Sequence, residues 1–409
     1  MPYKVAGIDV HKKVLMVVIT DVEPMEWQFE RARFGTGWGE LKKLPAWLGE
    51  RGVQEAVMES TAQYWKPVWL ELEGTMRLHL AQAQSNRAPG GRKSDWRDAQ
   101  RLVQRFVAGE LFLSFVPEAE QRSWRSLTRA RVQLVRERVQ LQNQIESLLE
   151  EGRIKLSSVI SDVLGASGWR ILQALAKGES TPEQLAALGD ERLKCGRAVL
   201  ADALTGSLSE IHRTLLRQHL DRITLINHQM EELSRCMADK MAPYQAAILR
   251  LIEVPGIGVE AAHQILAEIG PQAAAFPSAR QLASWMGVCP GSQESAEQNQ
   301  SGKCAKGNRF LRRVLCQAAQ AAVHKRDSYL QSLFRRLIVR LGYVKAIWAI
   351  AHRLCLILWH ILHQGATFIE YGRAVKPQAV ARAIKHHLKA LKALGYMIPE
   401  QPAPQPFCG

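Results

Sequence analysis

Short apolar segments separated by polar turns fill the first part of the chain, and this pattern predicts an α/β fold. Five strands are expected, at Val5–Asp9, Val14–Thr20, about 27–34, Glu55–Met58 and Leu78–Gln82. Helices are expected at Leu41–Leu48, Tyr64–Leu72 and Asp95–Phe106. The pattern therefore predicts one α/β domain over residues 1–112.

Two long stretches in the middle of the chain carry apolar side chains at seven-residue intervals. Gln121–Glu151 contains no glycine or proline, and Leu215–Met237 follows the same spacing. The repeating residues are Leu127, Leu134, Leu141 and Leu148, then Leu216, Ile223, Met230 and Met237. Such spacing predicts an antiparallel coiled-coil arm or a dimer seam, with two ordinary core helices as the alternative. Together with a small helical subdomain at Ile154–Leu204, these helices account for residues 113–245.

The pattern predicts a helical domain over residues 246–370, followed by a tail at 371–409 whose Gln401–Pro406 segment is expected to be disordered. Val254–Gly258 opens a helix and carries the glycines of a helix-hairpin-helix, or of a plain helix–helix turn. In the first case Gly256 and Gly258 would expose backbone N–H groups to phosphate. Further helices are expected at Ser278–Met286, Arg309–His324, Tyr329–Leu341 and Ala346–Leu362, with a polar loop at Cys289–Asn308.

The charge balance indicates what kind of molecule the protein binds. With 54 Lys and Arg against 39 Asp and Glu, the net charge is +15, which favours nucleic acid as the ligand. From Ser301 to Arg353 twelve basic residues stand against a single acid, an imbalance typical of phosphate contacts rather than of a solvated face. The candidate nucleic-acid contacts are Lys303, Lys306, Arg309, Arg312 and Arg313, together with Arg92 and Lys93 near the N-terminal acids.

Cysteine usage and hydropathy favour a cytoplasmic protein. The seven cysteines are scattered without a CxxC pair, which excludes a zinc ribbon and a disulfide framework as interpretations. The N-terminus has no secretory apolar segment. The most apolar stretch, Ala346–Leu362, contains His352, Arg353 and His360 and is short for a membrane span, so we expect a buried helix and no membrane partner.

Four carboxylates lie where the predicted elements would bring them together. Asp9 ends the first strand, Glu59 follows the fourth, and Asp95 and Asp98 share one helix face. Such a cluster cannot stay ionised without a cation, and Mg²⁺ suits carboxylate oxygens and phosphodiester cleavage. Taken singly, each acid is better explained as a solvated surface charge or a helix cap, and only the set as a whole favours a metal site. The histidines, including His11, show no ligand spacing.

The segments around these acids resemble the DEDD transposases, the bacterial insertion-sequence enzymes also called bridge-RNA-guided recombinases. The matching segments are Gly7–Lys12, Met58–Thr61 and Gly91–Ala99. The resemblance implies an N-terminal RuvC-like domain of the RNase H type. It also implies that the metal ligands of this domain are Asp9, Glu59, Asp95 and Asp98.

A second set of motifs resembles the C-terminal transposase domain of the same family, at Gly287–Ser295, Ser301–Lys303 and Lys306–Arg309. In that family a serine of this loop attacks DNA and holds the cut strand as a phosphoserine ester. The matching position is Ser295, with Ser292 and Ser301 as competitors. The resemblance further implies guidance by a noncoding RNA and a dimeric or tetrameric complex at the bacterial nucleoid. Two rival interpretations are a Holliday-junction-type metal nuclease that uses water, and a non-catalytic nucleic-acid-binding protein.

Overall fold

The computed structural model describes residues 3–60, 62–83, 95–178, 180–289, 293–295, 298–301, 304 and 306–370. They fall into two compact units, of which the first ends at Glu118 and the second begins at Ala119. The first unit is mixed α/β, whereas the second is helical apart from one short hairpin in its described part. The predicted fold class is thereby confirmed in its coarse form. The finer division at residues 112 and 245 stays a prediction.

A five-stranded mixed sheet forms the centre of the first unit. Its strands are β1 (Lys4–Val10), β2 (Val14–Asp21), β3 (Glu30–Gly35), β4 (Val53–Glu59) and β5 (Arg77–Ala81). The order across the sheet is β3-β2-β1-β4-β5. Strands β1, β2 and β3 are antiparallel neighbours, while β4 runs parallel to both β1 and β5. This arrangement is compatible with an RNase H-like domain.

Helices cover both faces of this sheet. They are α1 (Trp38–Leu41), α2 (Lys43–Glu50), α3 (Trp65–Leu72) and α4 (Asp95–Val107). Leu44 of α2 and Leu72 of α3 belong to the core on one face, and Val103 of α4 packs against Val5 and Val18 on the other. Because β1 is buried on both sides, its sequence is a continuous apolar run rather than an alternating one.

Two long antiparallel helices, α5 (Ala119–Glu151) and α10 (Glu210–Met241), dominate the second unit. Arg131 donates from Nε to Ser234 Oγ at 2.8 Å, and Arg138 donates from Nε to Asn227 Oδ1 at 3.0 Å. The later residue of α5 thus contacts the earlier residue of α10, so the two helices run antiparallel. A coiled-coil geometry for this pair stays a prediction.

A small helical subdomain lies between these two helices. It contains α6 (Leu156–Val159), α7 (Ala166–Lys177), α8 (Pro182–Ala187) and α9 (Arg197–Ala203). The chain enters and leaves it at one place, because the Ser207 N–H donates to the Gly152 carbonyl at 2.9 Å. Its apolar side chains share one core with Leu141 and Ile145 of α5 and with Leu216 of α10.

The remaining described chain forms a helical bundle. After a 3₁₀ turn at Ala242–Tyr244 come α11 (Gln245–Ile252), α12 (Val259–Ile269), α13 (Ala279–Met286), α14 (Arg309–His324), α15 (Tyr329–Leu341) and α16 (Tyr343–His363). Helix α11 was not predicted from the sequence. The predicted polar loop also contains two short strands, β6 (Gln293–Ser295) and β7 (Gln298–Ser301), which pair as a hairpin.

Helix α16 is long and apolar enough to cross a membrane by length and composition. Its buried side chains include Ile350, Leu354 and Leu358, and it packs against α11, α13, α14 and α15. Trp359 donates from its indole nitrogen to the Phe276 carbonyl at 2.8 Å. The helix is therefore buried within the bundle, and the predicted buried helix is confirmed.

Candidate metal centre and serine loop

Two of the four predicted ligands lie at the same end of neighbouring parallel strands. Ile8 of β1 is in register with Met58 of β4, so the following residues, Asp9 and Glu59, occupy the same edge of the sheet. Asp9 is 9% exposed, and Glu59 is half-buried. The strand directions, rather than the chain order, bring these two carboxylates to one edge.

Helix α4 brings the other two acids to this edge because Gly7 lets it come close to β1. A Cβ atom at Gly7 would lie 2.3 Å from the Ala99 carbonyl oxygen and 2.7 Å from Val103 Cγ2. Real side chains do not tolerate such distances, so only glycine permits this packing. Asp95 and Asp98 occupy the first turn of the same helix.

The side chains of this edge form a compact cluster. His11 Nε2 lies 3.0 Å from Asp9 Oδ2 and 3.7 Å from Asp95 Oδ1. One ligand atom from each of these three residues lies within 4.8 Å of the others. Asp98 Oδ1 is 2.9 Å from Arg101 Nη1. Sequence reasoning missed His11, because a lone histidine after a strand carries no recognisable ligand spacing.

The electrostatics of this cluster fit a divalent cation. Burial raises the pKa of Asp9, the His11 side chain opposes that rise, and the carboxylates of Asp98 and Asp95 add to it. A cation would relieve this crowding, and oxygen-rich donors with one imidazole are ligands that divalent metals accept.

Substitution of Gly7 tests whether the close approach of α4 holds this unit together. We expect Gly7→Ala to lower the free energy of unfolding by about 1–3 kcal/mol, because the added methyl group must push α4 away from β1. Chemical denaturation measures the change. Gly39→Ala is the matched control, since nothing lies within 4 Å of its Cβ position. Equal stability of the two variants would contradict the packing role of Gly7.

Two segments of the chain match family models of transposases. Residues 6–153, which contain all four acids, match the family model for DEDD transposases of IS110, described as "Transposase". Residues 249–335, which contain the polar loop, match the family model described as "Transposase IS116/IS110/IS902 family". The chain belongs to the IS110 family of DEDD transposases. Enzymes of this kind act on DNA. The prediction of a DEDD transposase is confirmed, whereas guidance by RNA and the serine mechanism stay predictions.

Curated relatives of this transposase agree with that assignment. A protein of Pseudomonas aeruginosa named "Probable family 20 transposase" is 28% identical over 74% of this chain and 81% of its own length. The "Transposase for insertion sequence element IS1111A" of Coxiella burnetii is 26% identical over 68% of each chain. The "Transposase for insertion sequence element IS1328" of Yersinia enterocolitica is 23% identical over 68% of this chain and 73% of its own.

The segment Cys289–Asn308, called the serine loop below, is closed at its base. A Cβ atom at Gly307 would lie 2.1 Å from the Met286 carbonyl oxygen, so the two ends of the loop are in direct backbone contact. Arg312 adds a hydrogen bond from Nη1 to the Gly287 carbonyl at 2.8 Å. Within the loop, Ser295 ends β6 and is paired with Gln298 across the hairpin. The role of Ser295 as nucleophile stays a prediction.

The two competing serines differ in what the structure describes. Ser301 is the last residue of β7, whereas Ser292 lies outside the described residues. The predicted nucleic-acid contacts Arg92, Lys93 and Lys303 also lie outside them. Their roles stay predictions from the sequence.

The Val254–Gly258 turn joins α11 to α12. Gly256 has a φ of +85°, and a Cβ atom there would lie 2.2 Å from the Ala318 carbonyl of α14, so glycine is required for packing. Gly258 is the exposed N-cap of α12, with nothing within 4 Å of its Cβ position. Phosphate binding by Gly256 and Gly258 therefore stays a prediction, and the packing at Gly256 does not depend on it.

The structure separates the predicted basic contacts into internal and exposed groups. Arg312 is half-buried, with its guanidinium 4.7 Å from the centre of the Trp348 ring in addition to its bond to the loop base. Lys306 and Arg309 are exposed. Arg313 is half-buried, and burial followed by the nearby Arg136 charge lowers its pKa. Sequence reasoning missed Arg136, because this residue of α5 is far from Arg313 in the chain.

The Arg136 and Arg313 pair is expected to contact the DNA or RNA backbone. Replacing both with alanine should weaken binding of a duplex from the element's own end about tenfold. It should also reduce the slope of log K against log salt by about 2, because each arginine contributes roughly one phosphate contact. Filter binding across a salt series measures both quantities. Arg217→Ala with Arg222→Ala, two exposed arginines of α10, is the matched control. An equal slope in the two double variants would contradict this site.

Proposed function

We propose that this IS110-family transposase cuts and rejoins the DNA of an insertion sequence and its target through a covalent phosphoserine intermediate. Asp9, Glu59, Asp95 and Asp98 would hold Mg²⁺, and Ser295 would act as the nucleophile. The observation that carries the proposal is the cluster of Asp9, Asp95 and His11 inside the part of the chain that matches DEDD transposases.

The acidic residues would hold the cation and orient it. When bound, Mg²⁺ stabilises negative charge on the phosphate and on the oxygens that attack and leave. Asp9, the most buried of the four, fixes the position of the site on the rigid end of β1. His11 would donate from Nε2 to Asp9 Oδ2, 3.0 Å away, and so orient that carboxylate.

Ser295 would carry the covalent step. Its Oγ attacks the scissile phosphorus and loses its proton to solvent or a nearby base. A serine phosphodiester forms, and the bond from phosphorus to the leaving hydroxyl oxygen of the DNA breaks. Attack of a DNA hydroxyl on this ester reverses the bond changes and releases the serine. One phosphodiester bond is present at every stage, so rejoining needs no nucleoside triphosphate.

The proposed assembly contains DNA, a guide noncoding RNA and two or four copies of the chain, acting at the bacterial nucleoid. The excess of basic residues in Ser301–Arg353 supports contacts with nucleic acid. The antiparallel pair of α5 and α10, proposed as a coiled coil, supports an oligomerisation arm. The turn at Val254–Gly258 is proposed as a helix-hairpin-helix.

One experiment separates this proposal from its rivals. The protein is purified from its host, any co-purifying RNA is sequenced, and a labelled duplex spanning an element end and its flank is added with Mg²⁺ or with EDTA. We expect a labelled protein band on a denaturing gel with Mg²⁺ only, and the modified peptide should contain Ser295. Cleavage without any adduct would favour the water-using nuclease, and binding without cleavage would favour the non-catalytic protein.

A further inference from the structure

An ion pair between Arg129 and Glu268 lies beside the serine loop and has no part in the chemistry proposed above; we call it the buried pair, after its buried carboxylate. Glu268 of α12 is 2% exposed. Arg129 of α5 donates to both of its carboxylate oxygens, from Nε and from Nη2, at 2.9 Å each. Arg125, one turn earlier on α5, lies 3.4 Å from the same carboxylate and donates from Nη2 to the Glu268 carbonyl at 2.6 Å. Two helices are thus fixed to each other through one acid.

Among the described residues of the serine loop, Asn308 links the loop to this ion pair through its side chain. Asn308, the last residue of the loop, donates from Nδ2 to Glu268 Oε2 at 2.7 Å. Its Oδ1 accepts from the backbone N–H groups of Phe310 and Leu311 at 3.0 and 3.1 Å, and so caps α14. The orientation of Asn308 is therefore set by the carboxylate on one side and by the first turn of α14 on the other.

The first end of the serine loop is held by the same N-terminal turn of α14. Gly307 precedes Asn308 and touches the backbone at Met286, where α13 ends. Arg312, in the first turn of α14, holds the Gly287 carbonyl. Both ends of the serine loop therefore follow the position of the N-terminus of α14, which Asn308 connects to the buried pair.

Stability alone is a weak reason for such an arrangement. Only the Glu268 carboxylate is removed from water, since the Arg129 side chain stays 37% exposed, and the cost of burying that carboxylate offsets much of what the ion pair contributes. A bidentate arginine–carboxylate pair instead fixes the relative orientation of its two side chains, because its two parallel hydrogen bonds allow only one geometry. A fixed side-chain orientation at the base of a loop is suited to holding a reactive group of that loop in one position.

We infer that Arg129, Glu268 and Asn308 are positioning residues, which hold the base of the serine loop so that Ser295 meets the scissile phosphate in one orientation. The inference rests on the proposed function, because it assigns these residues a purpose only if Ser295 reacts. A nucleophile displaced by about 1 Å can lose on the order of a hundredfold in rate. Loosening this network should therefore slow the covalent step without weakening DNA binding.

Asn308→Ser separates positioning from folding. Serine is also a good N-cap, so α14 keeps its first turn, but its side chain is too short to reach Glu268. We expect formation of the protein–DNA adduct, at saturating labelled element-end duplex with Mg²⁺ and the co-purified RNA, to slow about tenfold or more. The dissociation constant for the duplex should change less than twofold. Asn227→Ser is the matched control, because the bond described for Asn227 joins it to Arg138, between α10 and α5.

Two further variants test the buried pair itself. Arg129→Lys keeps the positive charge but loses the bidentate bond, and Glu268→Gln keeps the shape but loses the charge. Both should slow the adduct step while thermal unfolding shows a folded protein. Wild-type adduct rates in Asn308→Ser and Glu268→Gln would overturn the inference, and so would losses of binding and melting temperature in step with the rate. Absence of an adduct in the wild-type protein would instead overturn the proposed function, and the inference with it.

Discussion

Asp9→Asn is expected to reduce DNA cleavage by a factor on the order of a thousand. Asparagine preserves the size of the side chain but offers no charge to a divalent cation. Metal stabilisation of the reacting oxygens is worth several kcal/mol, and each 1.4 kcal/mol corresponds to a tenfold change in rate. Single-turnover cleavage of a labelled element-end duplex in Mg²⁺ measures the loss.

The same variant should remain folded, and this separates a metal role from a structural one. Burial and the neighbouring carboxylates raise the pKa of Asp9, which means that folding disfavours its ionised form. Asp9→Asn should therefore melt no lower than the wild type in EDTA. Mg²⁺ should raise the melting temperature of the wild type and leave that of the variant unchanged.

Asp21→Asn is the matched control for this prediction. Asp21 ends β2 and pairs with Lys4, at the opposite end of β1 from Asp9. Its substitution should change neither cleavage nor the response to Mg²⁺. If Asp9→Asn cleaved as fast as Asp21→Asn, the metal mechanism would be wrong.

Ser295→Ala is expected to abolish the covalent adduct and to lower strand rejoining by about 10⁴-fold or more, the scale seen when an enzyme loses its nucleophile. The variant lacks only one hydroxyl group, so its affinity for the element-end duplex should stay within about twofold of the wild type. Denaturing gels of the labelled duplex measure the adduct, and ligation of the exchanged strands measures rejoining.

Ser292→Ala and Ser301→Ala are the controls in the same loop, and both should form the adduct at nearly the wild-type rate. Transfer of the adduct defect to either of them would move the nucleophile to that position. Continued cleavage by Ser295→Ala, with water as the attacking group, would contradict the recombinase mechanism and favour the nuclease alternative.

The cluster of four acids could be predicted from the sequence because each acid lies at the end of a predicted strand or in the first turn of a predicted helix. Asp9 follows a run of apolar residues that only a buried strand explains, and the three-residue spacing of Asp95 and Asp98 fixes a common helix face. The parallel pairing of β1 with β4 places Glu59 beside Asp9, and this pairing is seen only in the structure. No local pattern encodes which strands become neighbours.

Other features of the fold correspond to no recognisable pattern in the sequence. The strands β6 and β7 consist of polar residues only, so they lack the alternation by which a half-buried strand is recognised. In the first half of α5 the buried residues are Trp124, Thr128 and Val132 rather than Leu127 of the seven-residue repeat. Helix α12 packs on α5 there, so a different face is covered. The contacts of Asn308 with Glu268 depend on the same tertiary packing.

The junction at Gly152 and Ser207 allows the helical subdomain to change in size while the two long helices stay paired. Since the chain departs and returns through one hydrogen-bonded step, inserts in the loops between its helices need not move α5 or α10. Deletion of the whole subdomain is different, because a short turn across the junction would expose Leu141, Ile145 and Leu216 to water. This part of the transposase can therefore gain residues far more easily than it can be lost.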